Sequence, residues 1–132
     1  MRRILLYGFR SNRLEEIKKV METLGVLSYC KFLEEEELNQ RVGYLLESNG
    51  FLYEPDNSFK KDISEVEFVY FAGFERKEIF SVIDYMKDNS IPRPVFSVIT
   101  PTNIEWIVGN LIYEVHTEHI EMTKGAISKK DE

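Results

Sequence analysis

The feature that most constrains this chain is a pattern that occurs twice: a short apolar run closed by Gly-Phe, a helical stretch, and a second apolar run. The first copy opens with Ile4-Leu5-Leu6-Tyr7-Gly8-Phe9 and the second with Val66 to Gly73-Phe74. Runs of this length that stop at a glycine read as buried strands. After Phe9, Asn12-Arg13-Leu14-Glu15 has the form of a capping box. Leu14, Ile17, Met21 and Leu24 then share one helical face, which Gly25 closes. Val26 to Phe32 alternates loosely as a strand. Glu34 to Glu37 places four carboxylates at the start of a second helix, where unpaired N–H groups favour negative charge. This run reads as a solvated helix start, and the helix continues through Leu38, Val42, Leu45 and Leu46 to Ser48-Asn49-Gly50. In the second copy Ile79, Val82, Ile83 and Met86 give a helical face and Val95 to Ile99 a strand. Ile104, Ile107, Val108, Leu111 and Val115 mark a final helix.

The copies align in detail. Gly8-Phe9 matches Gly73-Phe74, Glu16-Ile17 matches Glu78-Ile79 with Val20 against Val82, and Val42-Gly43-Tyr44-Leu45-Leu46 matches Val108-Gly109-Asn110-Leu111-Ile112. The offsets are 65, 62 and 66, so the length changes fall in loops. Gly43 and Gly109 each cost about 1 kcal/mol inside a helix, which points to close approach of another backbone at both. Phe51-Leu52-Tyr53-Glu54 followed by Pro55-Asp56-Asn57-Ser58 suggests a short edge strand and a turn. The expected fold is α/β: two pseudo-repeated βαβα halves, about 3–48 and 66–116, joined by a linker or hairpin over 49–65. Together they form one domain over 1–122, ahead of a frayed tail at 123–132. Parallel pairing with right-handed crossovers implies a mostly parallel sheet of about four strands, order 2-1-3-4, covered by helices.

A length of 132 residues allows a real core, and 43% hydrophobic with 30% charged residues is a globular balance. The net charge of −6 argues against a general nucleic-acid partner, although Arg2, Arg3, Arg10 and Arg13 lie close together in sequence. The Ile4–Tyr7 run is too short for a signal-peptide core or a membrane span, so no membrane partner and a cytoplasmic location are expected. Cys30 is the single cysteine and reads as a half-buried small hydrophobe.

In an open α/β sheet, ligands collect beyond the carboxyl ends of the strands. Two loops stand out there: Gly73-Phe74-Glu75 and Thr100-Pro101-Thr102-Asn103. Thr100 suits the N-cap of the final helix and Pro101 its first position, leaving Thr102, Asn103 and free N–H groups to face an anion or a carbonyl. The plainer reading is a helix start and nothing more. On a helical projection Trp106 and Tyr113, with Asn110 between them, fall opposite the apolar stripe, which suggests a partner or self-association surface. The alternative is that the tail, or the linker around Phe51 and Phe59, covers them. His116-Thr117-Glu118-His119 lacks a third ligand of fixed spacing, so no metal is expected. No nucleophile elbow, phosphate loop or Walker lysine occurs, and no cofactor is implied.

Tyr70-Phe71-Ala72-Gly73-Phe74, Glu78-Ile79, Val82-Ile83, Val95 and Val98-Ile99-Thr100-Pro101-Thr102-Asn103, with Trp106 three residues on, resemble the domain-of-unknown-function 3783 family. The Thr-Pro-Thr-Asn-x-x-Trp run is the most specific part. The family pattern has Ser or Thr after Gly-Phe, where this chain has Glu75. The resemblance implies a small bacterial cytoplasmic protein, supplies no activity, and draws attention to Thr100–Trp106.

Three functional expectations follow. The first is a non-catalytic binding or adaptor module using the Thr100–Tyr113 surface for a protein partner or a homodimer. The second is a sensor of a small molecule or anion at Thr100–Asn103. The third is an enzyme whose site is not recognisable. The residues of interest are Gly73, Thr100, Pro101, Thr102, Asn103, Trp106, Asn110 and Tyr113.

Overall fold

The most apolar runs form the two central strands of a computed structural model that describes residues 2–130, with side chains through Met122. Strand β1 (Arg3–Tyr7) and strand β3 (Phe68–Ala72) are buried on both faces. The flanking strands β2 (Cys30–Phe32) and β4 (Val95–Val98) are half-buried, as edge strands are. The sheet order is β2-β1-β3-β4, as the repeat pattern suggests.

The sheet is nevertheless mixed, and the expectation of a mostly parallel sheet is corrected. β1 pairs in parallel with β2, and β3 with β4, but β1 and β3 run antiparallel, with Leu5 opposite Tyr70. The reason is geometric. An order symmetric about its centre, with corresponding helices on the same face, relates the halves by a rotation perpendicular to the sheet, and that rotation reverses strand direction.

Helices α1 (Asn12–Thr23) and α3 (Arg76–Asp88) cover one face, packing Ile17, Val20, Met21, Val82 and Met86 on Ile4, Leu6, Val69 and Phe71. The opposite face, with Leu5, Tyr7, Phe68 and Tyr70, is covered by α2 (Val42–Leu45), the start of α4 (Val108–Lys130) and the linker residues Ile63 and Val66. Helix α4 is assigned through Lys130. The expected frayed tail, 123–132, falls on residues whose side chains or placement lie outside those described.

Local expectations change at several helix ends. Asn12 lies inside α1, and the cap position belongs to Ser11, which makes no side-chain capping bond, so the Asn12–Glu15 box does not form. The second strand is shortened by a 3-10 turn at Leu27–Tyr29. Val26 N–H bonds Met21 O after α1, and Ile91 N–H bonds Met86 O after α3. These two like bonds lie 65 residues apart.

One short pairing reshapes two more helices. Arg41 and Ile107 form an isolated antiparallel bridge: Val42 N–H donates to Trp106 O at 2.9 Å and Val108 N–H to Gln40 O at 2.8 Å. Those backbone groups are unavailable for helical bonding, so each expected helix is cut at the bridge. Glu35–Asn39 forms a 3-10 turn and Val42–Leu45 a separate single turn of α-helix. Asn103–Glu105 is likewise 3-10, and α4 begins only at Val108.

The glycines in α2 and α4 sit under linker rings. A Cβ on Gly43 would lie 2.5 Å from the Phe51 ring, and one on Gly109 2.7 Å from Phe59 and 2.9 Å from Leu38 O. The close approach expected at both is made by an aromatic ring, with a backbone carbonyl added only at Gly109. Linker residues 49–65 contain no strand, so the short edge strand does not form, although Asp56 holds the turn by accepting from Ser58 N–H at 2.9 Å.

Candidate functional site

Because β3 and β4 are parallel, the loops that follow them, at Gly73 and at Thr100, leave the sheet on one side. Gly73 ends β3 with φ +81, a left-handed conformation that favours glycine. Glu75 then starts α3: its N–H donates to Glu78 Oε1 at 2.9 Å in a capping box. That bond, followed by the nearby Arg2 cation, holds the Glu78 carboxyl below the usual range. Glu75 therefore caps α3 with its own side chain and that of Glu78.

After β4 the chain turns through Thr100-Pro101-Thr102 into the 3-10 turn at Asn103. Thr100 does not cap an α-helix and Pro101 is not its first residue, because α4 starts eight residues after Thr100. The two ends of the turn cap each other instead. Asn103 N–H donates to Thr100 Oγ1 at 2.9 Å, and Thr100 N–H donates to Asn103 Oδ1 at 3.0 Å. Asn103 Nδ2 also donates to Val98 O at 3.0 Å, tying the turn back to the edge strand.

The fourth bond of Asn103 reaches the core. The hydroxyl of Tyr70, a fully buried residue of β3, donates to Asn103 Oδ1 at 2.9 Å. A buried hydroxyl needs such a partner, and burial raises the Tyr70 phenol well above its ordinary value. Sequence reasoning missed this pair. A tyrosine within Phe68–Ala72, an otherwise apolar strand, was the available signal, since its hydroxyl demands an acceptor from elsewhere in the fold.

Pro101 and Thr102 are exposed. Trp106 lies between the 3-10 turn and α4, not on the helix, so it shares no helical face with Asn110 and Tyr113. Its N–H donates to Asn103 O at 3.1 Å and its carbonyl accepts from Val42. Arg41 Nη1 donates to Glu105 O at 2.7 Å beside it. A firmly held backbone thus presents Trp106, a residue that is 37% exposed. Close by, Arg41, Phe51, Leu52, Glu54 and Glu105 line an open groove of about 400 Å³, and Leu52 and Tyr53 are 71% and 65% exposed. Asn110 is exposed, whereas Tyr113 is half-buried against the core with Lys61 Nζ 5.0 Å above its ring. The linker covers Tyr113 but leaves Trp106 open. Arg41 had no signal in the sequence, because only the Arg41–Ile107 bridge brings it beside Trp106.

No group of three or more His, Cys, Asp or Glu suited to a metal ion occurs among the described residues. Cys30 is half-buried, its thiol donates to Val26 O at 3.6 Å, and burial pushes its pKa up to about 12.

The fold and this site define a small mixed α/β protein with a polar staple at the carboxyl end of one edge strand and a fixed aromatic residue beside it. Residues 67–122, from just before β3 into α4, match the family model described as "Domain of unknown function (DUF3783)". The matched span holds the Thr100–Asn103 turn, Tyr70 and Trp106, but not Arg41, Leu52 or Tyr53. No curated protein and no solved structure matches the chain significantly. Among the described residues no helix is long and apolar enough to cross a membrane.

Proposed function

We propose that the chain is a non-catalytic binding module that uses the surface around Trp106 for a protein partner, a second copy of the chain being one candidate. The observation that carries this reading is the exposed Trp106 on a doubly anchored backbone, following Glu105 at the edge of the groove lined by Arg41, Phe51 and Leu52. A large aromatic side chain with little freedom loses little entropy on binding, which is the character of an interface anchor. The surface differs from the helix face expected over Thr100–Tyr113: it combines Trp106 with linker residues, while Tyr113 is already covered. A small-anion site at Thr100–Asn103 has less support, because both Thr100 N–H and Asn103 N–H are bonded within the turn. The test is the association state of Trp106→Ala by analytical ultracentrifugation, alone and with a lysate-derived partner. Loss of an association seen with the unaltered chain supports the reading. Identical association in both sinks it.

We also propose that the halves descend from a duplicated unit, in a bacterial cytoplasmic protein. Matching bonds support the duplication: Leu33 N–H to Leu6 O and Ile99 N–H to Phe71 O follow the two edge strands. The ion pairs Arg13–Glu67 and Arg2–Glu78 occupy corresponding places with their charges exchanged.

A further inference from the structure

The two outer strands occupy matching places in the sheet but differ in how their free edges are guarded. Lys31 of β2 lies opposite Leu5 and Ser97 of β4 opposite Tyr70, and Leu5 and Tyr70 face each other across the centre. Lys31 puts a charge in the middle of β2, paired with Glu37 at 3.0 Å, and Lys18 Nζ lies 5.6 Å from the centre of the Phe32 ring. Charges of this kind keep a sheet edge from pairing with another chain. Strand β4 reads Val-Phe-Ser-Val and carries none.

The register of β4 identifies its free backbone groups. Val95 N–H donates to Glu67 O and Ile99 N–H to Phe71 O, so Val95, Ser97 and Ile99 turn their backbone groups toward β3. Alternation then turns those of Phe96 and Val98 outward, where β4 has no neighbouring strand among the described residues. Val98 O accepts from Asn103 Nδ2 at 3.0 Å and keeps a second lone pair. Pro94, which has no N–H, confines further pairing to the strand itself. Val98 is 43% exposed, and Met122 of α4, beside the start of the same strand, is 75% exposed.

We propose that the edge of β4 pairs with the same edge of a second copy of the chain, antiparallel, with Ser97 facing Ser97 across a two-fold axis. In that register Phe96 of each copy lies opposite Val98 of the other. Phe96 N–H donates to Val98 O and Val98 N–H to Phe96 O, so every outward donor and acceptor of the strand is used. The exposed Val98 meets a ring already stacked on Phe71, which makes an aromatic–β-branched cross-strand pair. A second copy suits this edge because the strand is self-complementary: the two-fold axis sets no charge of β4 against its like. Arg93, 5.4 Å from the centre of the Phe96 ring, stands ahead of the strand and falls opposite Pro101.

The test is sedimentation velocity of the full chain from about 5 to 500 µM, a range suited to an interface at the small end of the scale. The mass is expected to rise toward that of a dimer. Val98→Lys and Val98→Pro are each expected to hold the chain monomeric throughout. The proline removes only an outward N–H and leaves the ladder to β3 intact, so the variant is expected to fold, which circular dichroism checks. Hydrogen exchange adds a readout on the unaltered chain. Exchange at the Phe96 and Val98 amides should slow as concentration rises, while Cys30 and Phe32, the outward pair of β2, should not change. A chain that stays monomeric at the highest concentration overturns the proposal, as does a dimer in which the Phe96 and Val98 amides gain no protection. It is equally overturned by a dimer that Trp106→Ala abolishes and both Val98 variants keep, which would assign self-association to the Trp106 surface.

Discussion

At the residue scale the decisive group is Asn103. Its side chain and N–H make four bonds, to Thr100 twice, to Val98 and to Tyr70. The Thr-Pro-Thr-Asn run therefore acts first as a staple between β4, its following turn and the core strand β3. Asn103→Ala is expected to destabilise by about 2–3 kcal/mol, because it strands a buried hydroxyl, and Tyr70→Phe by about 1 kcal/mol. Urea titration of both and of the double variant checks this: if the pair is coupled, the double variant costs less than the sum. The same tyrosine yields a pH prediction. Below the ordinary phenol value of 10.0 Tyr70 keeps its proton folded or unfolded, so it adds no pH dependence. Above that value the unfolded chain loses the proton first while the folded chain retains it, so stability falls as pH rises. Tyr7 is raised too and acts in the same sense. Melting temperatures measured upward from pH 9 should show a decline that Tyr70→Phe lessens. No decline above pH 10 would contradict the buried hydroxyl.

At the scale of elements, the interrupted helices have an identifiable cause. Apolar spacing from Leu38 to Leu46 and from Ile104 to Val115 reads as two continuous helices, and its side chains are buried apart from Ile104 and Val115, which are half-buried. It is silent about the Arg41–Ile107 bridge, which takes the backbone groups a continuous helix would use. The two glycines make a test of what packs on these elements. Gly43→Ala meets only the face of the Phe51 side chain, which can swing away on its linker, and the helix-propensity gain of about 1 kcal/mol offsets the clash. Gly109→Ala meets Phe59 and also the carbonyl of Leu38, which cannot move without shifting the 3-10 turn. Gly109→Ala is expected to cost about 1–3 kcal/mol and Gly43→Ala near zero, read from denaturant midpoints. Equal costs would mean that the carbonyl yields as easily as the ring.

At the scale of the whole molecule, the single tryptophan reports on the surface proposed for a partner. With Trp106 37% exposed in the free chain, its emission at low concentration should be red-shifted and open to a collisional quencher. A blue shift with shielding as concentration rises would place Trp106 in contact with a second copy, whereas unchanged, quenchable emission would leave a different protein as the partner. Shielded emission at every dilution would contradict the exposed ring and remove the main support for a binding surface there. The four strands of the sheet, their order and the apolar faces of α1 and α3 were legible in the residues. They follow from local patterning, since an apolar run must be buried and a glycine with positive φ must end it. The antiparallel seam between β1 and β3, the Tyr70–Asn103 bond, the linker rings over Gly43 and Gly109 and the meeting of Arg41 with Glu105 beside Trp106 were decided by tertiary structure. Each joins residues far apart in sequence, and nothing in the local pattern of either partner records where the other will lie.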